Sequence, residues 1–242
     1  MRAAVISDIH GNLHALQAVL ASVAEDSPDV VWCLGDLVGY GPRPNECCAL
    51  VAERADVCLI GNHDLGVLGR LDLEDFAPDA AASAQWTASV LEEAHRAYLE
   101  SLEPQSSQGD VDLYHASARD PVWEYVLTPL AALASFAVSE ARILLVGHSH
   151  VALAFGLAEN RLETTIAPGG TELDLSGGRW ILNPGSVGQP RDGDPRAAYF
   201  LLDLDGGRVD YRRVEYPVER TQEEIREQGL PEALAERLSH GI

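Results

Sequence analysis

Residues 143–150 read ILLVGHSH, and they join a strand-like apolar run to two histidines. Four apolar residues lead into a glycine and then into His148 and His150. An apolar run of this length is typical of a strand in a protein core. The two imidazoles at its end need a specific explanation, because a buried ring must find a partner for each of its nitrogens.

The same arrangement occurs four more times in the first 150 residues. In each case an apolar run is followed directly by residues that can bind a metal ion. The runs are AAVIS before Asp8 and His10, VVWCLG before Asp36, VCLIG before Asn62, His63 and Asp64, and VDLY before His115. Short runs rich in Val, Ile and Leu suit strands that are buried on both faces.

Helical patterns alternate with the first of these strands. Residues 12–26 (NLHALQAVLASVAED) and 43–54 (RPNECCALVAER) place apolar side chains at helical spacing. An alternation of strand and helix implies parallel pairing, and ligands of open α/β sheets bind outside the carboxyl ends of the strands. All five polar clusters fall at such ends, so the sequence predicts the functional site there.

The remaining segments complete the predicted fold. The Ala-rich residues 66–108 predict a helical insertion, which either forms a lid or simply covers a sheet face. After His150, six strand-like runs are separated by Glu-Asn, Pro-Gly-Gly, Ser-Gly-Gly and Asp-Gly-Gly, which predict hairpins and a largely antiparallel second half. Residues 219–242 predict two short amphipathic helices. We therefore expect one α/β domain over residues 1–242, with two sheets inside and helices outside.

The charge of the chain excludes several classes of partner. Lys and Arg number 17 against 38 Asp and Glu, so the formal net charge is −21. This field repels nucleic-acid polymers and anionic membrane surfaces, and we expect neither as a partner. A small phosphorylated substrate stays compatible with the charge, because bound metal ions would supply local positive charge.

Cysteine usage favours a reducing compartment. Cys33, Cys47, Cys48 and Cys58 form no C-x-x-C pair, and Cys33 and Cys58 lie inside apolar runs, as expected for small core residues. The first residues run into a strand without a charged leader, and no window approaches the ~18 apolar residues of a membrane span. We predict a cytoplasmic protein.

The polar clusters together predict a site for two divalent ions. Seven residues offer only oxygen and imidazole nitrogen: Asp8, His10, Asp36, Asn62, His115, His148 and His150. Such donors suit Mn²⁺ first, with Fe²⁺, Zn²⁺ or Ni²⁺ as alternatives, and the absence of Cys argues against structural zinc or an iron–sulfur cluster. The odd number of ligands is natural if one carboxylate bridges both ions.

The order of these motifs resembles that of a known family. The ordered motifs SDIHGN, GDLVGYGPRPNE, GNHD, YHAS and GHSH are similar to those of the calcineurin-like metallophosphoesterases, with the bacterial small phosphodiesterase branch nearest. The later NPGSVGQPRDGDPRAAY also resembles a signature of small bacterial members. Two residues depart from the family pattern: Ala116 stands where many members have Gly, and Ser149 where Thr is common.

The resemblance implies a fold and a role for each motif residue. The family fold is a four-layer α/β/β/α sandwich. Asp8, His10 and His150 would hold one metal ion, Asn62, His115 and His148 the second, and Asp36 would bridge them. His63 would serve the leaving group and the phosphate oxygens, and Asp64 would orient His63. Tyr40 lies four residues after Asp36 and is interpreted as a pocket or packing residue.

The expected activity is hydrolysis of small phosphodiesters, such as nucleotide-type esters. Two metal ions lower the pKa of water to roughly 7 and clamp the attacking and leaving oxygens, so a metal-bound hydroxide would attack phosphorus. His63 as general acid would contribute on the order of 10²–10⁴ in rate. Its alternative role is structural support of the ligands.

Four further residues have both a functional and a structural interpretation. Asn12 either directs helix N-terminal amides to phosphate or caps the helix. Arg191 is a candidate phosphate clamp or a partner in a hairpin ion pair. Trp123 and Tyr125 either stack on a nucleobase or pack in the core.

The sequence leaves two alternatives to a phosphodiesterase open. The first is a phosphoprotein or phosphomonoester phosphatase. Arginines beside the bridging Asp are common in the phosphoprotein phosphatase branch, but none lies next to the GDLVGYG motif here. The second is a non-catalytic metal-binding scaffold like the retromer subunit, which resembles the family but lacks the general-acid histidine. The motifs do not encode the natural substrate, the physiological metal or the oligomeric state.

Overall fold

The computed structural model describes residues 1–242, and two six-stranded sheets form its centre. The strands are β1 Arg2–Ile6, β2 Val30–Cys33, β3 Val57–Cys58, β4 Gln105–Gln108, β5 Val111–Tyr114, β6 Ile143–Leu145, β7 Ala152–Ala158, β8 Arg161–Ile166, β9 Glu172–Asp174, β10 Arg179–Pro184, β11 Ala197–Asp203 and β12 Arg208–Val214. The helices are α1 Leu13–Asp26, α2 Pro44–Arg54, α3 Asn62–Val67, α4 Pro78–Val90, α5 Glu93–Glu100, α6 Pro129–Phe136, α7 Val218–Glu227 and α8 Glu232–Glu236. Single 3₁₀ turns cover Leu73–Asp75 and Arg237–Ser239.

Both sheets mix parallel and antiparallel pairs. The first has the order β3-β2-β1-β11-β12-β9, and the second β4-β5-β6-β10-β7-β8. The strands that precede the polar clusters pair in parallel: β1 with β2, β2 with β3, and β5 with β6. Their carboxyl ends therefore lie at the same edge of each sheet, where the candidate ligands collect.

Alternation along the strands builds four layers. On β1, Val5 packs between the two sheets, whereas Ile6 packs with Leu16 of α1 on the outer face of the first sheet. Phe136 of α6 packs with Phe155 on the outer face of the second sheet. The order of layers is helices, sheet, sheet, helix, and the predicted α/β/β/α sandwich is confirmed.

The predicted helical insertion is too long at its C-terminal end. Its helices α4 and α5 bury Ala84 and Leu99 in the same cluster as Val51 of α2, so they cover the first sheet. Residues 105–108 are strand β4, which pairs antiparallel with β5. The sequence QSSQ carries no apolar alternation because β4 is a half-exposed edge strand. The lid alternative remains a hypothesis.

Two of the four predicted hairpin turns are wrong. Glu159-Asn160 and Asp-Gly-Gly at 205–207 do close antiparallel hairpins. Pro-Gly-Gly at 168–170 and Ser-Gly-Gly at 176–178 instead carry the chain from the second sheet to β9 in the first and back. Glycine permits either path, and the choice of sheet depends on which distant strand offers free edge groups.

The cysteines are free thiols, and three of the four are buried, as expected for core residues. None of the helices combines the length and the apolar character that crossing a membrane requires. The assignment of residues 1–242 to one domain stays a prediction.

Candidate metal centre

The candidate ligands lie in the loops that follow β1, β2, β5 and β6, and at the first residue of α3, which follows β3. Five of them have a left-handed backbone with φ between 50° and 62°: Asp8, His10, Asp36, His148 and His150. Side chains other than glycine adopt this region rarely, although Asp and His do so more readily than most. Such backbone persists only where surrounding contacts enforce it, and it concentrates at functional sites.

The structure brings the predicted ligands together in two groups. The first ligand group is Asp8, His10, Asp36 and His150, and the second is Asp36, His115 and His148. Within each group the potential ligand atoms lie within 4.8 Å of one another. Asn62 Oδ1 lies 3.2 Å from His115 Nε2, which adds Asn62 to the second group. Asp36 belongs to both groups, the position that a bridging ligand requires.

Each of the four imidazoles has one ring nitrogen bonded to a backbone carbonyl. The pairs are His10 Nδ1 with Val38 O (3.2 Å), His115 Nδ1 with Leu34 O (2.9 Å), His148 Nε2 with Trp123 O (3.2 Å) and His150 Nδ1 with Gln189 O (2.7 Å). An N–H donated to a carbonyl fixes the tautomer and leaves the other nitrogen as a lone-pair donor, as is usual for metal-ligating histidine. Burial lowers the pKa of all four rings, that of His148 to about 3. The rings are therefore neutral and able to ligate.

Free lone pairs converge between the two sheets. His10 Nε2 and His150 Nε2 face each other at 3.1 Å, although the other nitrogen of each ring already has a carbonyl as its partner. The buried oxygens Asp8 Oδ1 and Asp36 Oδ2 have no hydrogen-bond partner. Asp36 Oδ2 lies 3.6 Å from both His10 Nε2 and His115 Nε2. Nitrogen and oxygen atoms that carry lone pairs but no hydrogen meet here and would repel one another unless a cation lay between them. The residues present therefore fit divalent cations.

The pKa values of the two carboxylates in the first ligand group, Asp8 and Asp36, are shifted in opposite directions. Burial and the negative charges of Asp64 and Asp8 raise the pKa of Asp36 well above its usual value. Burial would also raise the pKa of Asp8, but the adjacent His150, whose Nε2 lies 3.3 Å from Asp8 Oδ1, favours the ionised carboxylate and lowers that pKa. A metal ion reverses the effect at Asp36, because its positive charge favours the ionised carboxylate.

His63 lies beside the first ligand group. Its ring centroid is 4.9 Å from that of His10, 4.3 Å from that of Tyr40 and 5.3 Å from that of Phe76. Nδ1 of His63 is buried without a hydrogen-bond partner, and burial lowers the pKa of the ring. The side chain is thus placed next to the ligands with one ring nitrogen free.

Asp64 does not orient the His63 ring, contrary to what the resemblance implies. Its carboxylate accepts the backbone N–H groups of Val38 and Gly61, both at 3.0 Å. These bonds tie the loop after β2 to the start of α3, so Asp64 positions His63 only through the backbone. Burial raises the pKa of Asp64 to about 7. Gly61 is required at this junction because a β-carbon there would overlap the carboxylate of Asp36.

The capping interpretation of Asn12 is correct, and its predicted contact with substrate is not supported. Oδ1 accepts the N–H of Ala15 at 3.2 Å and the hydroxyl of Thr221 at 3.0 Å, and Nδ2 donates to Gly188 O at 2.9 Å. The side chain is buried. Asn12 therefore begins α1 and connects it to α7, with its polar atoms already engaged inside the protein.

The other candidate substrate contacts surround the ligand groups. Arg191 donates to Gln189 Oε1 at 2.8 Å and forms no ion pair, which excludes the hairpin ion-pair alternative. Tyr125 stacks on His148 with a centroid distance of 4.2 Å and an interplanar angle of 7°, and it is 47% exposed. Trp123 packs against Phe76 at 5.1 Å. Trp123 is thus half-buried against Phe76, whereas Tyr125 keeps one face accessible.

The supporting roles of three residues in NPGSVGQPR were not predicted. Asn183 Nδ2 donates to Gly147 O at 2.8 Å and to Ser149 Oγ at 3.0 Å, which holds the GHSH loop. Ser186 Oγ donates to Asp8 O at 2.7 Å, and Gln189 supplies the carbonyl partner of His150. The family signature marked this segment, but no local pattern assigns these contacts. Phe76, which packs against His63, carried no sequence signal.

Comparisons with known proteins agree with this arrangement. The family model for the calcineurin-like phosphoesterase superfamily domain matches residues 1–207. An uncharacterized protein of Methanocaldococcus jannaschii is 37% identical over 243 residues, covering 98% of this chain and 97% of that protein. The symmetrical bis(5′-nucleosyl)-tetraphosphatase of Pseudomonas fluorescens is 36% identical over 96 residues, which is 34% of this chain and 33% of that enzyme.

Solved structures show the same fold over the full length. A metallophosphoesterase from Sphaerobacter thermophilus superposes with a TM-score of 0.91 at 44% identity, covering 100% of this chain and 99% of that one. A hypothetical protein from Pyrococcus horikoshii superposes with a TM-score of 0.78 at 23% identity, covering 100% and 98%, which supports the fold alone. Since the family match includes the strands that carry all seven ligand residues, the chain belongs to the calcineurin-like phosphoesterase superfamily and is a metal-dependent hydrolase.

Proposed function

We propose that this protein hydrolyses small phosphodiesters at a centre of two divalent ions. The observation that supports this most directly is the pair of ligand groups that share Asp36. Asp8, His10 and His150 would hold one ion, and Asn62, His115 and His148 the other. Oxygen and imidazole donors favour Mn²⁺, Fe²⁺, Zn²⁺ or Ni²⁺, of which we propose Mn²⁺. When bound, the ions neutralise phosphate charge and lower the pKa of water.

In this proposal His63 gives a proton to the leaving oxygen. Nδ1 is buried beside Gly39, and neither ring nitrogen of His63 forms a hydrogen bond inside the protein, so no internal contact competes with an incoming ester for the ring. Burial keeps the ring neutral in the absence of substrate. A bound phosphate brings negative charge beside the ring and raises its pKa, which favours the protonated form needed by a general acid. Asp64 contributes by fixing the backbone on either side of the site.

We further propose a nucleotide-type ester as substrate. The exposed face of Tyr125, already stacked on His148, offers an aromatic surface for a base. The relatives that match about a third of this chain are named as tetraphosphatases of dinucleosides. The net charge of −21 disfavours nucleic-acid polymers and leaves small phosphoesters as the better candidates. The four free thiols support our proposal of a cytoplasmic location.

Two alternatives make different predictions. A monoester or phosphoprotein phosphatase would use the same ligand groups but prefer a terminal phosphate. A non-catalytic scaffold would bind metal without turnover. The presence of His63 beside a complete ligand set favours an enzyme over a scaffold.

The test is hydrolysis of bis-p-nitrophenyl phosphate by metal-stripped protein, with and without Mn²⁺, in parallel with p-nitrophenyl phosphate. We expect Mn²⁺-dependent release from the diester at a rate above that from the monoester. Asp36→Asn protein prepared in the same way controls for contaminating phosphatases. Faster hydrolysis of the monoester would support the phosphatase alternative. No hydrolysis of either ester by protein with two bound ions would support the scaffold.

A further inference from the structure

Two arginines lie over one tyrosine at the edge of the first ligand group. The guanidinium carbon of Arg191 is 5.7 Å from the ring centroid of Tyr40, and that of Arg237 is 6.0 Å away. The same ring lies 4.8 Å from His10 and 4.3 Å from His63, measured between centroids. Two positive charges therefore stand one side chain away from the candidate ligands and the candidate acid.

Neither guanidinium forms an ion pair with an Asp or Glu side chain. All 17 cationic side chains of this protein are arginines, and most of them form salt bridges. Arg191 instead donates to Gln189 Oε1 and, at 3.4 Å, to the Tyr40 hydroxyl. Arg237 donates from Nε to Ile242 O at 2.6 Å. Arg70, Arg96 and Arg179 also lack an acidic partner, but only Arg191 and Arg237 lie together over one ring beside the candidate ligands.

The proximity of the two arginines is unfavourable without an anion. Arg237 is half-buried, and burial together with the charge of Arg191 lowers the pKa of its guanidinium. Like charges at a partly desolvated site repel each other, and a shared anion would remove both penalties. Cation–π contact with Tyr40 holds the two groups in place but does not neutralise them.

Separate parts of the fold hold each arginine beside Tyr40. The backbone N–H of Arg191 donates to His150 O at 3.1 Å, so this residue is coupled directly to the first ligand group. Arg237 follows α8, which is anchored by the buried side chains of Leu234 and Leu238, with Tyr40 packed against the same cluster. A surface cavity of about 810 Å³, lined by Arg237 but not by Arg191 or the candidate ligands, opens beside this part of the fold.

We propose that Arg191 and Arg237 form a subsite for a phosphate group other than the one that is hydrolysed. Planar guanidinium groups match phosphate oxygens in pairs, and two of them suit a strongly charged group. The substrate class is then a phosphoester with at least two phosphate groups, such as a nucleoside polyphosphate. This inference rests on the proposed function, because the ligand groups would hold the reacting phosphate.

The test compares a substrate with one phosphate and a substrate with several. The measurement is kcat/KM for bis-p-nitrophenyl phosphate and for bis(5′-adenosyl) tetraphosphate, at one free Mn²⁺ concentration. Losing a charge-assisted contact reduces affinity by about 10- to 100-fold. We therefore expect Arg237→Gln and Arg191→Gln each to lose at least about tenfold more on the tetraphosphate than on the single-phosphate ester. Arg237→Lys keeps the positive charge but not the planar guanidinium that binds two oxygens at once, so its kcat/KM on the tetraphosphate should fall less than that of Arg237→Gln.

Arg220→Gln is the matched control, because Arg220 lies on α7 in the same C-terminal region, pairs with Glu223 and does not line the cavity. We expect no change on either substrate. Melting temperatures of all variants separate a local loss from unfolding of the C-terminal helices. Equal losses on both substrates, or no loss from either arginine variant, would overturn the subsite.

A binding measurement separates the subsite from the proposed function. If wild-type protein with two bound ions hydrolyses neither substrate, the proposed function fails, whereas the subsite is still tested by calorimetry with inorganic tripolyphosphate and inorganic phosphate. We expect tighter binding of tripolyphosphate, weakened at least about tenfold by Arg237→Gln. Equal affinity of wild type and Arg237→Gln for tripolyphosphate would overturn it.

Discussion

The backbone N–H of His63 donates to Asp36 Oδ1 at 2.9 Å, and this bond links the shared carboxylate to the candidate acid. One oxygen of Asp36 is therefore engaged by α3, while the other, Oδ2, faces the imidazoles of both ligand groups without a hydrogen-bond partner. The geometry of the shared ligand and the position of His63 are thus determined together.

Asp36→Asn should reduce both metal content and activity. The amide has a weaker donor oxygen and no negative charge, and Asp36 belongs to both ligand groups. Mutation of a residue that only hydrogen-bonds to a metal ligand typically lowers metal affinity or activity about 10- to 100-fold. For Asp36, a candidate ligand itself, we expect at least about 10²-fold loss in kcat/KM. Elemental analysis should find fewer than two ions per chain. Asp205→Asn, at an exposed position, is the control, and full turnover with two ions in Asp36→Asn would refute the shared-ligand role.

His63→Ala should harm substrates according to their leaving group. An alkoxide leaves only with a proton, so loss of the acid should slow such substrates by about 10²–10⁴-fold. Nitrophenolate leaves without a proton and should be affected far less. Single-turnover rates on methyl p-nitrophenyl and dialkyl-type esters provide the comparison, with His95→Ala as a control outside the site. Equal loss on both kinds of leaving group would indicate that His63 only positions the substrate.

Asn12→Ala should lower stability without changing KM. The substitution removes the cap of α1 and the partners of Thr221 and Gly188, and loss of a cap alone costs about 0.5–2 kcal/mol. Urea unfolding measures the change, and Asn12→Ser should recover part of it because Ser also caps helices. A raised KM at unchanged stability would restore the substrate-binding role that the sequence suggested.

Glu224 should stabilise the fold in a pH-dependent way. It accepts hydrogen bonds from Arg43 at 2.9 and 3.0 Å and contacts His14 at 3.2 Å, thereby joining α7 to α1 and α2. The bonds from Arg43 lower the pKa of Glu224 below its ordinary 4.5. A carboxyl whose pKa is lower in the folded state stabilises the protein above the unfolded pKa, and this contribution disappears as the pH falls through the folded value.

The variant Glu224→Gln tests this linkage. At pH 7 we expect it to be less stable than wild type by on the order of 0.5–1 kcal/mol, and the difference should shrink below pH 4.5. Urea titrations at a series of pH values measure the difference, with the exposed Glu227→Gln on the same helix as control. A difference that stays constant down to the lowest pH would show that packing, not charge, accounts for it.

Much of the site could be predicted from the chain because its signals are local. An apolar run followed at once by Asp or His predicts a polar residue at a strand end, and parallel pairing places such ends at one edge. Asp8, Asp36 and His148 were identified in this way. Strand β4 was missed because QSSQ at a half-exposed edge needs no apolar alternation.

The sequence did not show whether a polar side chain contacts the substrate or the protein backbone. Asn12 and Asp64 carry polar groups that suit either a substrate or the backbone, and only the positions of Gly188 and Val38 show that the backbone takes them. Arg237 lies 197 residues after Tyr40, so no local pattern relates the two.

By itself, then, the sequence determined which residues end the strands and which donor atoms they offer, because hydrophobic periodicity and side-chain chemistry are local properties. The tertiary structure decided which donors meet: His10 and His150, 140 residues apart, face each other at 3.1 Å. It also decided which turns join the two sheets and which arginines remain unpaired. Those outcomes depend on long-range strand pairing and on competition among polar groups for buried partners, which exist only once the chain has folded.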